Sequence, residues 1–198
     1  MTNPSFVHLD VNTEYSIGRS IIRRDALIDA CIEMDMPAFG VTEHNNLFSA
    51  YKLFKSSQKK GIKYIIGSTI TIIDHVERSK SKLSLLCENE IGYKNLCRLI
   101  TKSYIKGLIK NEPFIDMKWL EGQTDGLIAI SSYGNGYFQH SKSMDESLSS
   151  EKVTRFQKLF PERLFLSLSR MGVPNEEIIN KSMIELSSKF DIPVVAVN

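Results

Sequence analysis

Short apolar runs separated by helical stretches limit this chain to an α/β fold more than any other feature of its sequence. The runs are rich in Val, Ile and Leu and span residues 6–11, 38–41, 64–73, 83–87, 127–130, 164–168 and 193–197. Continuous apolar runs of this length are typical of strands buried on both faces of a sheet that helices cover. We therefore expect most of them to form one such sheet.

The segments between the runs show helical periodicity. The clearest stripe follows the i, i+3, i+4, i+7 rule and consists of Tyr93, Leu96, Cys97, Ile100 and Tyr104. Shorter stripes are Leu27, Cys31 and Met34, then Val153, Phe156 and Phe160, and finally Ile179, Met183 and Leu186. Asn175 and the two glutamates after it predict a capped, acidic start for the last helix. Strands that alternate with helices predict an α/β architecture, either an open sheet or a barrel.

One connection departs from this alternation. The third and fourth predicted strands are separated by the mostly polar residues 74–82, a stretch too short for a crossover helix. This pair is therefore expected to form an antiparallel hairpin. The longest predicted loop covers residues 132–150, and no change in composition marks a second domain. Residues 1–198 are predicted to form a single domain.

The charge balance argues against a dedicated nucleic-acid-binding module. The chain has 25 basic and 23 acidic residues, whereas domains that grip phosphate backbones usually carry a clear basic excess. No apolar run is long enough to cross a bilayer, and no basic-then-apolar leader follows Met1, so a cytoplasmic location is expected. Cys31, Cys87 and Cys97 are odd in number and lack CxxC spacing, which favours free, buried thiols.

Candidate chemistry lies near the ends of the first two predicted strands. Ligands gather at the carboxyl ends of parallel strands, where the sequence places Asp10, Glu43 and His44. These side chains could form a small oxygen-rich metal site with one imidazole. A polar barrel mouth that only makes hydrogen bonds is the interpretation that these residues alone favour, and both alternatives stay open. No GxSxG, Walker, GxGxxG or HExxH motif is present.

Seven segments in order carry a family resemblance. They are FVHLDVNTEYS, MPAFGVTEHNNL, GIKYIIGSTITI, LSLLCENEIGYKNLCRLITKSY, DGLIAIS, FLSLSR and DIPVVAVN. Together they resemble the PHP domain at the N-terminus of bacterial DNA polymerase III alpha subunits, the replicative C-family polymerases. The fourth segment is the most specific match. The resemblance covers essentially the whole chain and implies a distorted (β/α) barrel of about seven units, an α/β fold.

The resemblance also indicates where metal ligands would lie. Active members of this family hold zinc or manganese ions with His, Asp, Glu and Cys side chains, and use them to hydrolyse phosphoesters. In this chain the His-x-His pair of the family is replaced by Asp10 and Asn12, and the Asp-His pair by Glu43 and His44. Asp10, Glu43 and His44 are thus expected to be vestigial metal residues.

Four further ligand positions are degenerate by the same comparison. Where the family has a glutamate on the third strand, this chain has Thr69. Lys82 replaces a family histidine before the fourth strand, and Met171 replaces a later one. Together with Asn12 these form the degenerate set. The segment that usually carries a cysteine reads Ser131, Ser132, Tyr133, and the final Asp-x-His would follow Asn198. No cofactor is expected on this basis, with zinc or manganese as the alternative.

The function that the resemblance implies is that of a non-catalytic N-terminal PHP domain with no catalytic residues of its own. Such a domain would dock the proofreading exonuclease subunit and the rest of the polymerase III holoenzyme. DNA would be contacted through the parent chain, a DNA-directed DNA polymerase (a nucleotidyltransferase), and no membrane would be involved. Two alternatives stay open: an active metal-dependent phosphoesterase or 3'-5' exonuclease, and an unrelated α/β binding module.

Overall fold

A computed structural model of the chain describes residues 6–75, 79–132 and 146–197. The strands in this part of the chain are β1 (Ala38–His44), β2 (Lys63–Asp74), β3 (Ser79–Cys87), β4 (Leu108–Ile109), β5 (Glu112–Pro113), β6 (Ile115–Asp116), β7 (Leu127–Ser131), β8 (Leu164–Ser169) and β9 (Val194–Val197). The α-helices are α1 (Arg24–Glu33), α2 (Ala50–Lys60), α3 (Glu90–Lys106), α4 (Glu146–Leu159) and α5 (Glu176–Phe190). A 3-10 turn covers Met117–Leu120.

The main sheet is mixed. Its strand order is β1-β2-β3-β7-β8-β9, and β6 pairs with β2 off this path. Neighbours are parallel except that β3 runs antiparallel to both β2 and β7. The predicted antiparallel hairpin is confirmed by the β2–β3 pairing. As a result, the carboxyl end of β2 lies beside the amino end of β3, so residues from both reach the same rim of the sheet.

The first predicted strand, residues 6–11, is not a regular strand. It runs alongside β1 as an extended segment in which Val11 forms an isolated bridge with Val41. The backbone N–H of Gly40 donates to the carbonyl of His8 at 2.6 Å. A side chain at Gly40 would place its Cβ 3.0 Å from the backbone oxygen of Leu9, so glycine permits this close approach.

The sheet is curled, as the apolar side chains of its inner face show. One cluster joins Leu86 of β3, Ile130 of β7 and Val197 of β9, with Leu9, Ile65, Ile128, Phe165 and Val195 packed against it. This cluster brings together the extended segment beside β1 and the last strand at the opposite edge. The interior of the curl is therefore filled by side chains from β2, β3, β7, β8 and β9.

Helices cover the outer face of the curled sheet. Leu96 and Leu99 of α3, Phe156 of α4, Phe160 directly after α4, and Met183 of α5 belong to one large buried cluster with residues of β2, β3, β7 and β8. A second cluster packs α1 and α2 on β1 through Ile28, Cys31, Leu53, Phe39 and Val41. The expected α/β barrel architecture is confirmed as a mixed α/β fold with a curled half-barrel sheet.

Several local expectations differ from the structure. Helix α4 begins at Glu146, inside the predicted loop 132–150, while Tyr133 and His140 lie outside the described residues. Asn175 takes the N-cap position of α5, but its side chain makes no capping hydrogen bond because its backbone is left-handed. Among the thiols, all free, Cys31 is buried, whereas Cys87 and Cys97 are half-buried.

Candidate functional site

A small polar cavity of about 180 Å³ opens where the extended segment and the strand ends meet. We call it the mouth. Its lining consists of Asp10, Asn12, Arg19, His44, Thr69, Lys82, Ser132, Met171 and Val197. The structure therefore brings together Asp10, His44 and all four degenerate positions at one place. Glu43 does not line the mouth.

Hydroxyl groups surround Asp10 at the mouth. Its Oδ1 accepts hydrogen bonds from the hydroxyl of Thr42, from Ser84 Oγ at 2.9 Å and from Thr69 Oγ1 at 3.4 Å. Thr69 and Ser84 also share a hydrogen bond of 2.9 Å. Asn12 donates from Nδ2 to the carbonyl of Thr42 at 2.6 Å. Asp10 and Thr69 are thus hydrogen-bonded to each other, whereas Asn12 is engaged by the backbone of β1.

Glu43 faces the opposite side of β1. Side chains alternate along a strand, so Thr42 and His44 share the inner face while Glu43 points towards the helix layer. Its carboxylate is 1% exposed and accepts from the hydroxyls of Thr13 and Ser16, from Ser49 Oγ at 2.9 Å and from Thr13 N at 3.2 Å. We call these residues the hydroxyl nest. Four donors to one buried carboxylate give it a structural role in joining the 13–16 segment to β1.

His44 is held in a neutral, partly unsatisfied state. Its Nε2 lies 3.3 Å from Asn45 Nδ2 and 3.4 Å from Thr71 Oγ1, while its buried Nδ1 has no hydrogen-bond partner. Burial, with the charges of Arg19 and Lys82, lowers the pKa of His44 from 6.5 to about 4. The imidazole is therefore uncharged at neutral pH.

Two positively charged side chains, Arg19 and Lys82, line the mouth. Burial and the charge of Arg19 lower the pKa of Lys82, while Asp10 acts in the opposite direction. Arg19 comes from the loop before α1, and no pattern in the sequence relates it to the strand ends. Sequence reasoning missed it because only the tertiary fold brings it beside Lys82.

These donors do not fit a centre of several metal ions. Within residues 6–75, 79–132 and 146–197 no three His, Cys, Asp or Glu side chains group closely enough to hold one ion. Asp10 and His44 face the mouth, but Glu43 is engaged on the other side of the strand, and Lys82 would repel a divalent cation. A bridged cluster needs more anionic ligands than the described mouth offers.

The fold and this mouth define a TIM-barrel-like α/β domain with its polar residues gathered at one rim. An amidohydrolase from Chromobacterium violaceum has a similar structure, with a TM-score of 0.69 over 97% of this chain and 86% of that one, at 9% identity. That likeness shows the fold alone. The PHP domain family matches residues 8–171, and the chain belongs to this family.

Curated proteins similar to this chain include DNA polymerase III alpha subunits. The chain is 31% identical over 200 residues to the DNA polymerase III subunit alpha of Vibrio cholerae serotype O1. It is 34% identical over 200 residues to that of Escherichia coli strain K12, and 32% identical over 206 residues to that of Aquifex aeolicus strain VF5. The matches cover 100%, 100% and 96% of this chain. It spans 17 to 18% of the length of these relatives and is homologous to their N-terminal region.

Among the residues that the structure describes, no helix is both long enough and apolar enough to span a membrane.

Proposed function

We propose that this chain is the N-terminal, non-catalytic PHP domain of a DNA polymerase III alpha subunit, with DNA synthesis carried out by the rest of the parent chain. The similarity to three alpha subunits supports the assignment to replication. The position of Glu43 is the observation that supports a non-catalytic role for the domain. Its carboxylate is buried in the hydroxyl nest, away from the mouth that holds Asp10 and His44.

The charges at the mouth support the same proposal. Hydrolysis assisted by metal ions needs anionic ligands that hold the ions and an ion-bound water that attacks the phosphorus. Here Lys82 and Arg19 bring positive charge to the place where ions would be held, and Asp10 is already engaged by three hydroxyls. Asp10, Glu43 and His44 are thus proposed to be vestigial, and no zinc or manganese is proposed to bind.

The partner we propose is the proofreading exonuclease subunit, and the proposed location is the cytoplasm. A domain that retains its barrel without its chemistry can serve as a platform, and a separate exonuclease would supply the missing proofreading. Mixing the purified domain with the exonuclease subunit of the same organism should give a complex in size-exclusion chromatography. Elution of two separate peaks at micromolar concentrations would contradict the docking role.

Elemental analysis tests the non-catalytic part of the proposal. The purified domain is exposed to zinc and manganese, desalted thoroughly and analysed for both metals. We expect well below one equivalent per chain, and no release of nucleotides from single-stranded DNA. Two or more equivalents, with nuclease activity that EDTA abolishes, would instead support the active phosphoesterase or exonuclease.

A variant that rebuilds the family ligands provides the matched comparison. It combines Asn12→His, Thr69→Glu, Lys82→His and Met171→His. Gain of metal by this variant, but not by the original chain, would show that these four positions are what prevents binding. Absence of metal in both would mean that the groups which orient the ligands have changed as well.

A further inference from the structure

A cavity of about 330 Å³ opens on the outer surface of the domain, between α3 and the 3-10 turn that follows β6. We call it the basic groove. Arg98 and Lys102 of α3 line one side, while Lys118 and Trp119 of the turn, with Gln123 after it, line the other. The basic groove shares no lining residue with the mouth. It is therefore a separate feature of the molecule, and the proposed function makes no use of it.

The charges in the basic groove are not neutralised by the protein. Arg98, Lys102 and Lys118 bring three positive charges, and Glu121 at the same cavity brings one negative charge. None of the ion pairs formed within the described residues includes any of these four side chains. This local excess contrasts with the nearly even balance of the whole chain, at 25 basic and 23 acidic residues. A cluster of uncompensated cations favours an anionic partner.

Neutral neighbours hold two of the three cations in place. Nζ of Lys102 lies 4.4 Å from the centre of the Trp119 ring, a cation–π contact that orders a flexible side chain and leaves its charge unchanged. Nη1 of Arg98 donates to Oδ1 of Asn95 at 3.1 Å. Asn95 is itself buried and donates to the carbonyl of Asp125 at 3.0 Å. Both cations are thus ordered before a partner arrives, which reduces the entropy lost on binding.

Two features of the basic groove disfavour a polynucleotide as its partner. A polynucleotide carries a negative charge on every unit, and Glu121 would repel that continuous row of phosphates. Bases of single strands stack on free aromatic faces, whereas Nζ of Lys102 lies over the ring of Trp119. A partner with separate anionic groups meets neither obstacle.

We propose that the basic groove binds an acidic peptide segment of a partner protein. Its carboxylates contact Arg98, Lys102 and Lys118, because guanidinium and ammonium groups form strong charge-assisted hydrogen bonds with carboxylates. The side-chain amide of Gln123, which can both donate and accept, bonds to the peptide backbone. Trp119 is a positioning residue that acts through Lys102.

This inference goes beyond the proposed function, because it assigns an interaction surface away from the mouth. Trp119 is the one tryptophan of the chain, so its fluorescence reports on the basic groove alone. The purified 198-residue chain is titrated with octaglutamate, blocked at both ends, in the presence of EDTA. We expect a saturable change in emission, weakened by salt, and no change with blocked octaglutamine, which has the same shape without the charge.

Variants of the basic groove assign the contacts, with the anisotropy of labelled octaglutamate as the readout. Arg98→Met and Lys102→Met are each expected to weaken binding about tenfold. Lys59→Met, which removes one charge at the exposed end of α2, should leave binding unchanged. Lys102→Arg should restore it, because arginine keeps both the charge and the contact with the ring. Trp119→Leu should weaken binding severalfold while Trp119→Phe retains it, and melting temperatures verify that each variant is folded.

Three results would overturn the inference. The first is an equal response to octaglutamate and octaglutamine, and the second is unchanged affinity in both Arg98→Met and Lys102→Met. The third is tighter binding of octathymidylate than of octaglutamate, which would make the basic groove a nucleic-acid site instead. Since EDTA is present and the exonuclease subunit is absent throughout, failure here leaves the docking and metal tests of the proposed function intact.

Discussion

The hydroxyl nest and the mouth lie on opposite faces of one strand, and they differ in how completely the protein satisfies their polar and charged groups. In the nest, Glu43 is buried and its oxygens accept from three hydroxyls and one backbone N–H. At the mouth, Asp10 is only half-buried, the buried Nδ1 of His44 has no partner, and Arg19 and Lys82 lack ion pairs among the described contacts. The nest is completed by the protein, and the mouth is not.

This difference separates polar groups that have a structural role from polar groups that a ligand could satisfy. A buried polar group whose bonds are all made inside the protein stabilises one conformation, and it leaves nothing for a ligand. Unpaired cations and orphaned atoms reduce stability and are retained where something else can satisfy them. Glu43 and His44 are adjacent in sequence, yet they fall on the two sides of this division because side chains alternate along β1.

The largest expected effect comes from removing the acid of the nest. Glu43→Ala would leave several buried donors without an acceptor, so we expect the free energy of unfolding to fall by about 3 kcal/mol or more. Asp10→Ala is the matched change at the mouth, where the donors are closer to water, and a loss of about 1 kcal/mol is expected. Urea denaturation followed by circular dichroism measures both. Equal losses would remove the distinction between the two regions.

The sequence predicts the strands of the sheet well but not their ends. Residues 38–41 predict β1, which continues to His44, and residues 127–130 predict β7, which continues to Ser131. In both strands the missed residues are polar. Apolar runs mark the part of a strand that lies in the core, whereas its polar end depends on hydrogen bonds to neighbouring strands that a single sequence does not display.

Helix α2 and the positions of Arg19 and Lys80 were not predicted, for related reasons. The buried residues of α2 are Ala50, Leu53 and Ser57, and Leu53 is the one large apolar side chain among them. Arg19 and Lys80 are ordinary charged residues of a loop and a strand, and they meet only in three dimensions. By contrast, the orientation of Glu43 away from His44 was readable from strand alternation once β1 was assigned.

The pH dependence of stability should differ between wild type and a variant of the mouth. In the folded protein the pKa of His44 is about 4, below its ordinary value of 6.5. The unfolded chain therefore takes up this proton first as the pH falls, and stability is lost between about pH 6.5 and pH 4. His44→Gln should remove this part of the loss. Unfolding free energies at pH 7 and pH 5 test it, and an unchanged difference between the two pH values would mean that His44 is not held neutral.

The smallest expected effect is a gain in the free energy of unfolding. Burial and the charge of Arg19 lower the pKa of Lys82, so below that pKa its charge is carried at a cost in the folded state. Lys82→Met should therefore raise the free energy of unfolding at neutral pH, by less than about 0.5 kcal/mol. Salt screens the repulsion from Arg19, so the gain should shrink at high ionic strength.

Lys80→Met is the control, since it removes the contact with the Phe114 ring and should reduce stability slightly. A clear loss of stability in Lys82→Met would mean that Lys82 is satisfied by Asp10, and that the mouth is completed within the protein as the nest is.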